Sequence, residues 1–493
     1  MFEAFVLGFQ GLLHPVVFVY MLGSTIIGLT FGIIPGFGGM TFLAMLIPFT
    51  YGMTPLLAMT TLLAGHAVVH MAGAISAILI NVPGTASNAT ALLDGFPLTQ
   101  QGHAGRAIGA SVTASAVGGL FGAVVLIAAV PIMRILVMSF GSPELFFLCF
   151  LGITFIATVA GDLPVKGLIA GALGIILSLV GFDAVTATTR LSFGSLYLDS
   201  GVTLIPLVLG LFAIPQVLDM MATGSAIAAK GETVTTATSD IWEGMKDVFR
   251  HWGLTMRTST IGALVGAVPG LGAEAAGWIS YGHAKQTSKH PETFGQGNVE
   301  VLIGPGAAEN SKEGGALIPT LAFGIPGSPG MAVMIGAFLI LGIDPGPTFM
   351  KNHLDVCYAM VITLALANIV GAVMCLATAK YMAKITTIPS RIMAPLLLVV
   401  VVIGAYTYKG ELLDVLATFV FGAVGYVMIR FHYPRPPMML GFVLGALAER
   451  YLHLSLKTVG GLFFLRPIPM VIIVLTIMGL FYNQMMSVIR RLR

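Results

Sequence analysis

Residues 28–38 read GLTFGIIPGFG and residues 262–272 read GALVGAVPGLG, so the same spacing of glycine and proline occurs twice in the chain. A second Pro-Gly segment follows each of them, NVPGTASNA at 81–89 and GIPGSPGMA at 324–332. Proline removes a backbone donor and clashes with the preceding helical turn, and glycine reaches conformations that other residues avoid. The sequence therefore predicts four interrupted segments, two in each half and in the same order.

The segments around these breaks are strongly apolar. Of the 493 residues, 57% are hydrophobic and 9% are charged, whereas a soluble chain has roughly 25% charged residues. The apolar runs are continuous and have no polar face, which excludes both a soluble helical domain and the alternating strands of a membrane barrel. We predict an all-α polytopic membrane protein with about 10–12 transmembrane helices, some of them broken or re-entrant. The predicted spans are 16–34, 55–80, 107–133, 145–160, 165–182, 203–221, 258–268, 355–379, 392–408, 411–429, 438–448 and 468–489.

The positive charges predict the orientation, because cytoplasmic flanks of membrane helices accumulate Lys and Arg. No Lys or Arg precedes Arg106, which predicts an N-terminus outside the cytoplasm, and the start MFEAFVLGFQ is not typical of a removable signal peptide. The later positive residues predict that the 222–257 segment and the C-terminus are cytoplasmic. These residues are Lys246, Arg250, Arg257, Lys380, Lys384, Arg391, Arg490, Arg491 and Arg493.

The polar segment 222–257 divides the chain near its midpoint. We predict a first transmembrane repeat at 1–221 and a second at 258–493, inverted relative to each other, with an amphipathic helix around 240–252 in the connecting loop. Interruptions at corresponding positions of two repeats are typical of the binding site of a secondary transporter near the bilayer midplane. The alternative for a single Pro-Gly break is a simple helix kink.

Polar side chains follow the break in the first half. A helix that begins after a break presents free N–H groups and favours an anion, while the carbonyl end before it favours a cation. Thr85, Ser87 and Asn88 are residue types that cap helices and donate to carboxylate oxygens. They predict an anion site, and the alternative is that they hydrogen-bond neighbouring helices.

Five ionisable residues lie close to or between the breaks, where an unpaired charge in lipid would cost several kcal/mol. They are Asp94, Glu274, Glu309, Lys312 and Glu313. One interpretation is a cation or proton site, with Glu274 as the best candidate for a buried acid. The other is that 304–315 forms a water-exposed or cavity-lining loop. Asp94 would repel an anion unless a cation came with it.

The remaining residues give no evidence of a metal centre or an enzyme. His66 and His70 are spaced i, i+4 without a carboxylate or cysteine in the same turn, so a packed or cavity-lining pair is favoured over a metal pair. Cys149, Cys357 and Cys375 lie in apolar runs and are interpreted as packing residues. The chain has no Gly-x-Ser-x-Gly, Walker or HExxH motif, so we expect no enzyme activity.

Four segments carry a resemblance that covers essentially the whole chain: GLTFGIIPGFGG, NVPGTASNATALLDGFPLTQQGHAGRAIG, GAVPGLGAEAA and GPGAAENSKEGGALIPTLAFGIPGSPGMAV. The chain resembles the TctA family, the large membrane subunit of the tripartite tricarboxylate transporters. The resemblance implies a bacterial inner-membrane importer of citrate or other di- and tricarboxylates or related organic acids. It also implies a Na⁺ or H⁺ gradient as the driving force, with no other cofactor, and two partners, a TctB-like small membrane subunit and a TctC-like periplasmic solute-binding protein.

The resemblance and the electrostatics of the helix ends together predict two sets of site residues. The predicted substrate-binding residues are Asn81, Pro83, Gly84, Thr85, Ser87, Asn88, Pro326, Gly327, Ser328 and Gly330. The predicted cation-coupling residues are Pro35, Gly36, Gly38, Pro269, Gly270, Gly272 and Glu274. Two alternatives to a tripartite importer are a carboxylate-permeable channel and a stand-alone ion-coupled carrier of another small anion.

Overall fold

In the residues that it describes, the computed structural model of the chain is almost entirely α-helical, with one short antiparallel pair of strands, and it confirms the predicted all-α class. The structure describes residues 1–34, 36–159, 164–183, 188–223, 238–385, 390–407 and 409–477. Three sequence-based predictions fall outside these ranges: Pro35, the end of the last predicted span, and the C-terminal arginines.

The first half of the described chain contains eleven helices and the strand pair. A π-helical turn, Leu209–Ala213, joins the last two helices. The elements are α1 Phe2–Leu13, α2 Pro15–Ile33, α3 Gly39–Leu46, α4 Pro55–Ile80, α5 Ala89–Gln100, α6 Ala104–Met138, α7 Ser142–Val159, α8 Pro164–Ser178, β1 Gly181–Asp183, β2 Thr188–Arg190, α9 Leu196–Asp199, α10 Leu204–Val208 and α11 Ile214–Thr223.

The second half contains the helices α12–α21 in the described ranges, followed by a short apolar helix, Pro467–Ile477. The first of them, α12, matches the amphipathic helix predicted in the connecting segment. The elements are α12 Thr238–Arg250, α13 Trp252–Ala267, α14 Gly272–Thr287, α15 Glu300–Phe323, α16 Pro329–Ile340, α17 Pro347–Asn352, α18 Leu354–Ile385, α19 Ser390–Thr407, α20 Leu412–Arg430 and α21 Arg435–Thr458.

Six helical stretches in the described ranges are long and apolar enough to cross a membrane by length and composition. Shorter apolar helices, including α3 and α16 beside the breaks, accompany them. The six stretches are Pro15–Ile33, Pro55–Ile80, Ala104–Val137, Leu204–Ala222, Leu354–Ala379 and Leu412–Arg430. The chain is a multi-pass membrane protein, and the number of 10–12 crossings stays a prediction.

The order of helices and breaks is the same in both halves. In the first, α2 and α3 flank one break and α4 and α5 the next. In the second, α13 and α14 flank one break and α15 and α16 the next. The halves are interlocked, because α6 packs on α15, α18 packs on α4, and α6 and α18 contact each other. The repeat boundaries and the inverted relation remain predictions.

Glycine allows the two helices that precede the breaks of each half, α2 and α4 or α13 and α15, to approach closely. Gly28 of α2 packs against Gly65 of α4, where an added Cβ would lie 2.2 Å from the Gly65 carbonyl oxygen. Gly262 of α13 packs in the same way against Ala308 of α15, with a corresponding distance of 2.3 Å. Because the neighbouring atoms are backbone, they cannot rotate away from a larger side chain. Both close helix pairs therefore require glycine at these positions.

The close approach predicts that replacing glycine with alanine affects the stability of the protein differently at two positions of α2. Gly28→Ala should destabilise the purified protein by about 1–3 kcal/mol, the usual cost of overpacking, and lower its thermal unfolding midpoint. Gly23→Ala is the control, because an added Cβ at Gly23 meets no atom within 4 Å. We expect the control to unfold like the wild type in a thermal stability assay in detergent. Equal losses in the two variants would contradict the packing described here.

Candidate functional site

The breaks of each half bind one another through the backbone. The N–H of Gly36 donates to the carbonyl of Gly84 at 3.1 Å, and the N–H of Gly270 donates to the carbonyl of Gly327 at 3.2 Å. Gly36 and Gly270 both have a positive φ, 85° and 89°, which favours glycine. Each pair of breaks is thus joined by a matching hydrogen bond.

The helices before the second breaks also end in the same way. Asn81 terminates α4 with a φ of 55°, and Gly324 terminates α15 with a φ of 68°. Asparagine is the residue other than glycine that most often accepts this left-handed cap position. Its place in the structure gives Asn81 the role of ending a helix.

New helices begin directly after three of the breaks. α3 begins at Gly39, α14 at Gly272 and α16 at Pro329, and the Ser328 hydroxyl accepts a hydrogen bond from the N–H of Met331 at 3.3 Å. After the fourth break a 3₁₀ turn, Ala86–Asn88, precedes α5. The first turns of helices carry free N–H groups and a partial positive charge.

These helix starts meet around a cavity of about 610 Å³. Side chains from other elements complete the wall, among them His66, His70, Lys312, Glu274 and Arg435. The wall residues that come from the breaks are Gly36, Gly38, Gly39, Thr85, Ala86, Ser87, Gly270, Leu271, Gly272, Ser328, Pro329 and Gly330. All four breaks therefore contribute to one chamber, which we call the central cavity.

The central cavity brings together about half of the residues predicted from the sequence. From the substrate set, Thr85, Ser87, Ser328 and Gly330 line it, and from the cation set Gly36, Gly38, Gly270, Gly272 and Glu274 line it. Five others belong to the surrounding breaks instead of this wall: Pro83, Gly84, Pro269, Pro326 and Gly327. Their predicted roles in binding substrate or cation stay predictions, as does that of Pro35, which lies outside the described ranges.

One prediction about the wall is wrong. Glu274 was expected to be a buried acid, but its side chain is exposed and lines the central cavity. The reason is its place in the first turn of α14, which faces the chamber. Hydropathy does not distinguish such a position from a buried one.

The interpretation of 304–315 as a loop is also wrong, because these residues form the middle of the continuous helix α15 and are almost all buried. Their charges are compensated inside the protein. The Lys312 ammonium lies 2.5 Å from the Glu313 carboxylate, and Nε2 atoms of His66 and His70 lie 3.4 and 3.2 Å from the same carboxylate. Because the opposite charges of Lys312 and Glu313 are in contact, α15 can hold both side chains in the protein interior.

The two histidines line the cavity, as the sequence analysis favoured over a metal pair. In the described ranges, no group of three or more His, Cys, Asp or Glu residues could hold a metal ion. The three cysteines are buried and free, as predicted for packing residues.

A chain of hydrogen bonds connects the cavity wall to a second acid. The Ser87 hydroxyl lies 2.9 Å from Nδ1 of His70 and 2.8 Å from the Thr85 hydroxyl. Thr85 donates to Oδ1 of Asn88 at 2.6 Å, and Nδ2 of Asn88 donates to the Glu309 carboxylate at 2.9 Å. Asn88 itself is buried behind the central cavity, so it links the wall to Glu309 instead of forming the wall.

Asp94 has a structural position away from the chamber. It is fully buried, and its carboxylate accepts hydrogen bonds from the backbone N–H groups of Gly295, Gly297 and Asn298 at 2.7 to 2.9 Å. These bonds hold the turn that leads into α15 against α5. Asp94 is therefore satisfied without a ligand.

Arg435, the first residue of α21, is a residue of the site that the sequence motifs do not predict. Nη1 of Arg435 donates to the carbonyl of Leu211 at 2.9 Å, and the guanidinium lies 5.4 Å from the centre of the Phe212 ring. In the described ranges Arg435 forms no ion pair, although it lines the central cavity. The available signal was an arginine between two prolines at the start of an apolar run.

The repeated breaks of a multi-pass helical protein surround a chamber lined by helix starts and by the charged side chains of Glu274, Lys312 and Arg435. This arrangement is typical of a membrane transport protein. The chain belongs to the tripartite tricarboxylate transporter TctA family, whose sequence model matches residues 18–440. This is a family of transporters.

Two proteins of Agrobacterium vitis are similar to the chain. The "uncharacterized 52.8 kDa protein in TAR-I ttuC' 3'region" is 31% identical over 447 residues, which cover 91% of this chain and 88% of that protein. The "uncharacterized protein in TAR-II ttuC' 3'region" is 36% identical over 192 residues, 39% of this chain and 79% of that protein. No solved structure matches the chain.

The ion pair in α15 predicts a compensating double substitution. Glu313→Gln should destabilise the protein by about 3–5 kcal/mol, because it leaves the Lys312 ammonium buried without its partner. Adding Lys312→Met should recover part of this loss, since no uncompensated charge then remains. Thermal unfolding of the purified single and double variants measures both effects. A double variant no more stable than Glu313→Gln would show that the two side chains do not act as a pair.

Proposed function

We propose that the chain is the large permease subunit of a tripartite importer of organic acids in a bacterial inner membrane. In this proposal a periplasmic solute-binding protein delivers the carboxylate, a small membrane subunit completes the complex, and a Na⁺ or H⁺ gradient drives uptake. Membership of the TctA family supports the three-part organisation in general.

The observation that carries the proposal is the convergence of positive potential on one chamber. The first turns of α3, α14 and α16 face the central cavity. Those of α3 and α14 present free N–H groups, and that of α16 presents the N–H of Gly330, because Pro329 has none and the N–H of Met331 donates to Ser328. Helix starts of this kind bind carboxylate and phosphate groups without a dedicated side chain. The cavity is therefore suited to an anion whose charge is shared among several backbone donors.

The side chains of the wall add donors of two kinds. Thr85, Ser87 and Ser328 supply hydroxyls beside the helix starts. Lys312 is neutralised by Glu313, whereas Arg435 forms no ion pair among the described residues. A guanidinium presents a planar fork of donors that matches a carboxylate. We assign Arg435 to one carboxylate of the substrate and the hydroxyls of the breaks to another part of the molecule.

The proposal predicts that Arg435→Gln raises the KM for carboxylate uptake about tenfold or more, because a charge-assisted hydrogen bond contributes about 1.5–3 kcal/mol. Uptake of ¹⁴C-labelled citrate and other di- and tricarboxylates is measured in cells that express the chain with its small subunit and binding protein. Arg250→Gln is the matched control, because Arg250 pairs with Glu243 on α12, outside the central cavity. We expect the control to retain the wild-type KM at equal expression.

A second measurement separates a carrier from a channel. Proteoliposomes that contain the complex are given an inward Na⁺ or H⁺ gradient, and the substrate concentration is followed inside and outside. Accumulation above the external concentration is expected for a carrier, whereas a channel would only equalise the two concentrations. An unchanged KM in Arg435→Gln would remove the substrate assignment, and equalisation without accumulation would remove the carrier.

A further inference from the structure

A second, much smaller cavity lies behind Asn88, between α4, α5, α6 and α15. Its volume is about 10 Å³, which is room for about one water-sized occupant. Its polar lining consists of Asn88, Thr90, Ser111, Ser115 and Glu309, together with the side chain of His70. We call this space the ion chamber.

Glu309 is the acid of the ion chamber and has no basic partner. It is 3% exposed, and in the described ranges it forms no ion pair, in contrast to Glu313 one turn further along α15. Its carboxylate accepts hydrogen bonds from Nδ2 of Asn88 at 2.9 Å and from the Thr90 hydroxyl at 3.1 Å. An ionised carboxylate at this depth costs several kcal/mol unless a positive charge accompanies it.

The hydrogen bonds around Asn88 fix the orientation of its amide toward Glu309. Nδ2 of Asn88 also donates to the carbonyl of His70 at 3.0 Å, and its Oδ1 accepts from Thr85. Turning the amide over would set its oxygen against two acceptors, so Nδ2 must face Glu309. Donors directed at a carboxylate favour its ionised form. Burial opposes ionisation, so the charged form of Glu309 is stable in the ion chamber only with a cation beside it.

Two further oxygen atoms are available in the chamber wall. The Ser111 side chain is 2% exposed and lines the chamber, and among the described residues its hydroxyl has no hydrogen-bond partner. Pro305 lacks an N–H group, so it cannot donate to the carbonyl of Val301 one turn earlier, and both residues line the chamber. With the Glu309 carboxylate and the Thr90 hydroxyl, these groups form a set of hard oxygen ligands.

We propose that the ion chamber binds one dehydrated Na⁺ ion, with Glu309 as its counter-charge. A single carboxylate balances a single positive charge, and the chamber has no room for the water shell that Mg²⁺ retains. The inference rests on the proposed transport function, in which this Na⁺ is the coupling ion. It locates the ion behind Asn88, apart from the Pro-Gly breaks that the sequence analysis predicted.

The position of Asn88 provides the connection between ion and substrate. Its amide nitrogen contacts Glu309, and its amide oxygen contacts the Thr85 hydroxyl, which lines the central cavity. Na⁺ bound at Glu309 neutralises the acid beside the anion site and fixes the Asn88 amide. The hydroxyls of Thr85 and Ser87 are then held in place for the carboxylate.

The test measures Na⁺ binding by the purified full-length protein without substrate. Thermal unfolding midpoints are recorded while NaCl replaces choline chloride at constant ionic strength, with KCl in a parallel series. We expect Na⁺ alone to raise the midpoint, because a ligand that binds only the folded state stabilises it. Glu309→Gln should abolish the shift, and Ser111→Ala should raise the Na⁺ concentration for half the shift about tenfold, the loss expected for one ligand.

Thr113→Ala is the matched control for Ser111→Ala. Thr113 lies on the same helix with a buried hydroxyl that has no hydrogen-bond partner among the described residues, and it lines neither cavity. It should keep the wild-type Na⁺ response. A normal Na⁺ shift in both Glu309→Gln and Ser111→Ala would overturn the proposal. An equal rise of the unfolding midpoint in KCl, or one that a change of pH produces without Na⁺, would also overturn it.

The two proposals fail in different ways in the same samples. If the ion chamber is wrong but the central cavity is right, carboxylate uptake still depends on Arg435 while the Na⁺ response ignores Glu309. If the proposed function is wrong, the Na⁺ shift depends on Glu309 while no carboxylate is taken up. Reading both assays for the wild type and for each variant separates these cases.

Discussion

The whole site depends on the requirement that every backbone polar group within the hydrocarbon region has a partner. Each Pro-Gly break interrupts a helical ladder, and the structure satisfies the interruption by pairing breaks within one half. Gly36 donates to Gly84, and Gly270 donates to Gly327. Because these bonds hold the breaks together, the N–H groups of the helices that begin after them are left to face one common chamber.

Close packing of backbones makes this pairing possible. Gly84 lies so near to α2 that an added Cβ would be 2.0 Å from the Gly32 carbonyl oxygen, and an added Cβ on Gly327 would be 2.7 Å from the carbonyl oxygen of Gly266 in α13. Small residues at helix contacts replace the hydrophobic driving force that is missing between helices in lipid. The same packing surrounds α15 with α4, α6, α13 and α14, which keeps its charged residues away from lipid.

The sequence predicted the fold class, the breaks and part of the chamber wall, because those depend on local chemistry. Pro-Gly frames and apolar runs can be recognised without knowing what packs against them. The helical state of 304–315 could not be recognised, since its glycines, prolines and charges are also typical of a loop. The charge of Glu313 is compensated by the adjacent Lys312 and by the histidines of α4, which lie more than two hundred positions earlier in the chain. Arg435 was missed for a similar reason, because its place in the cavity follows from the packing of α21 on the opposite half.

The two halves have the same backbone plan but different side chains at matching positions. Gly28 packs on Gly65 as Gly262 packs on Ala308, and the next residues in chain order are His66 and Glu309. One turn further along each helix, the corresponding residues are His70 of α4 and Glu313 of α15, and these two side chains are in contact. A fully symmetric pair of halves would place two histidines or two acids in these positions, and like charges would repel in the membrane interior. The repeated backbone therefore supplies helix starts around the cavity, while the exchange of histidine for glutamate places His66 and His70 beside the Lys312–Glu313 pair and leaves Glu309 without an ion pair among the described residues.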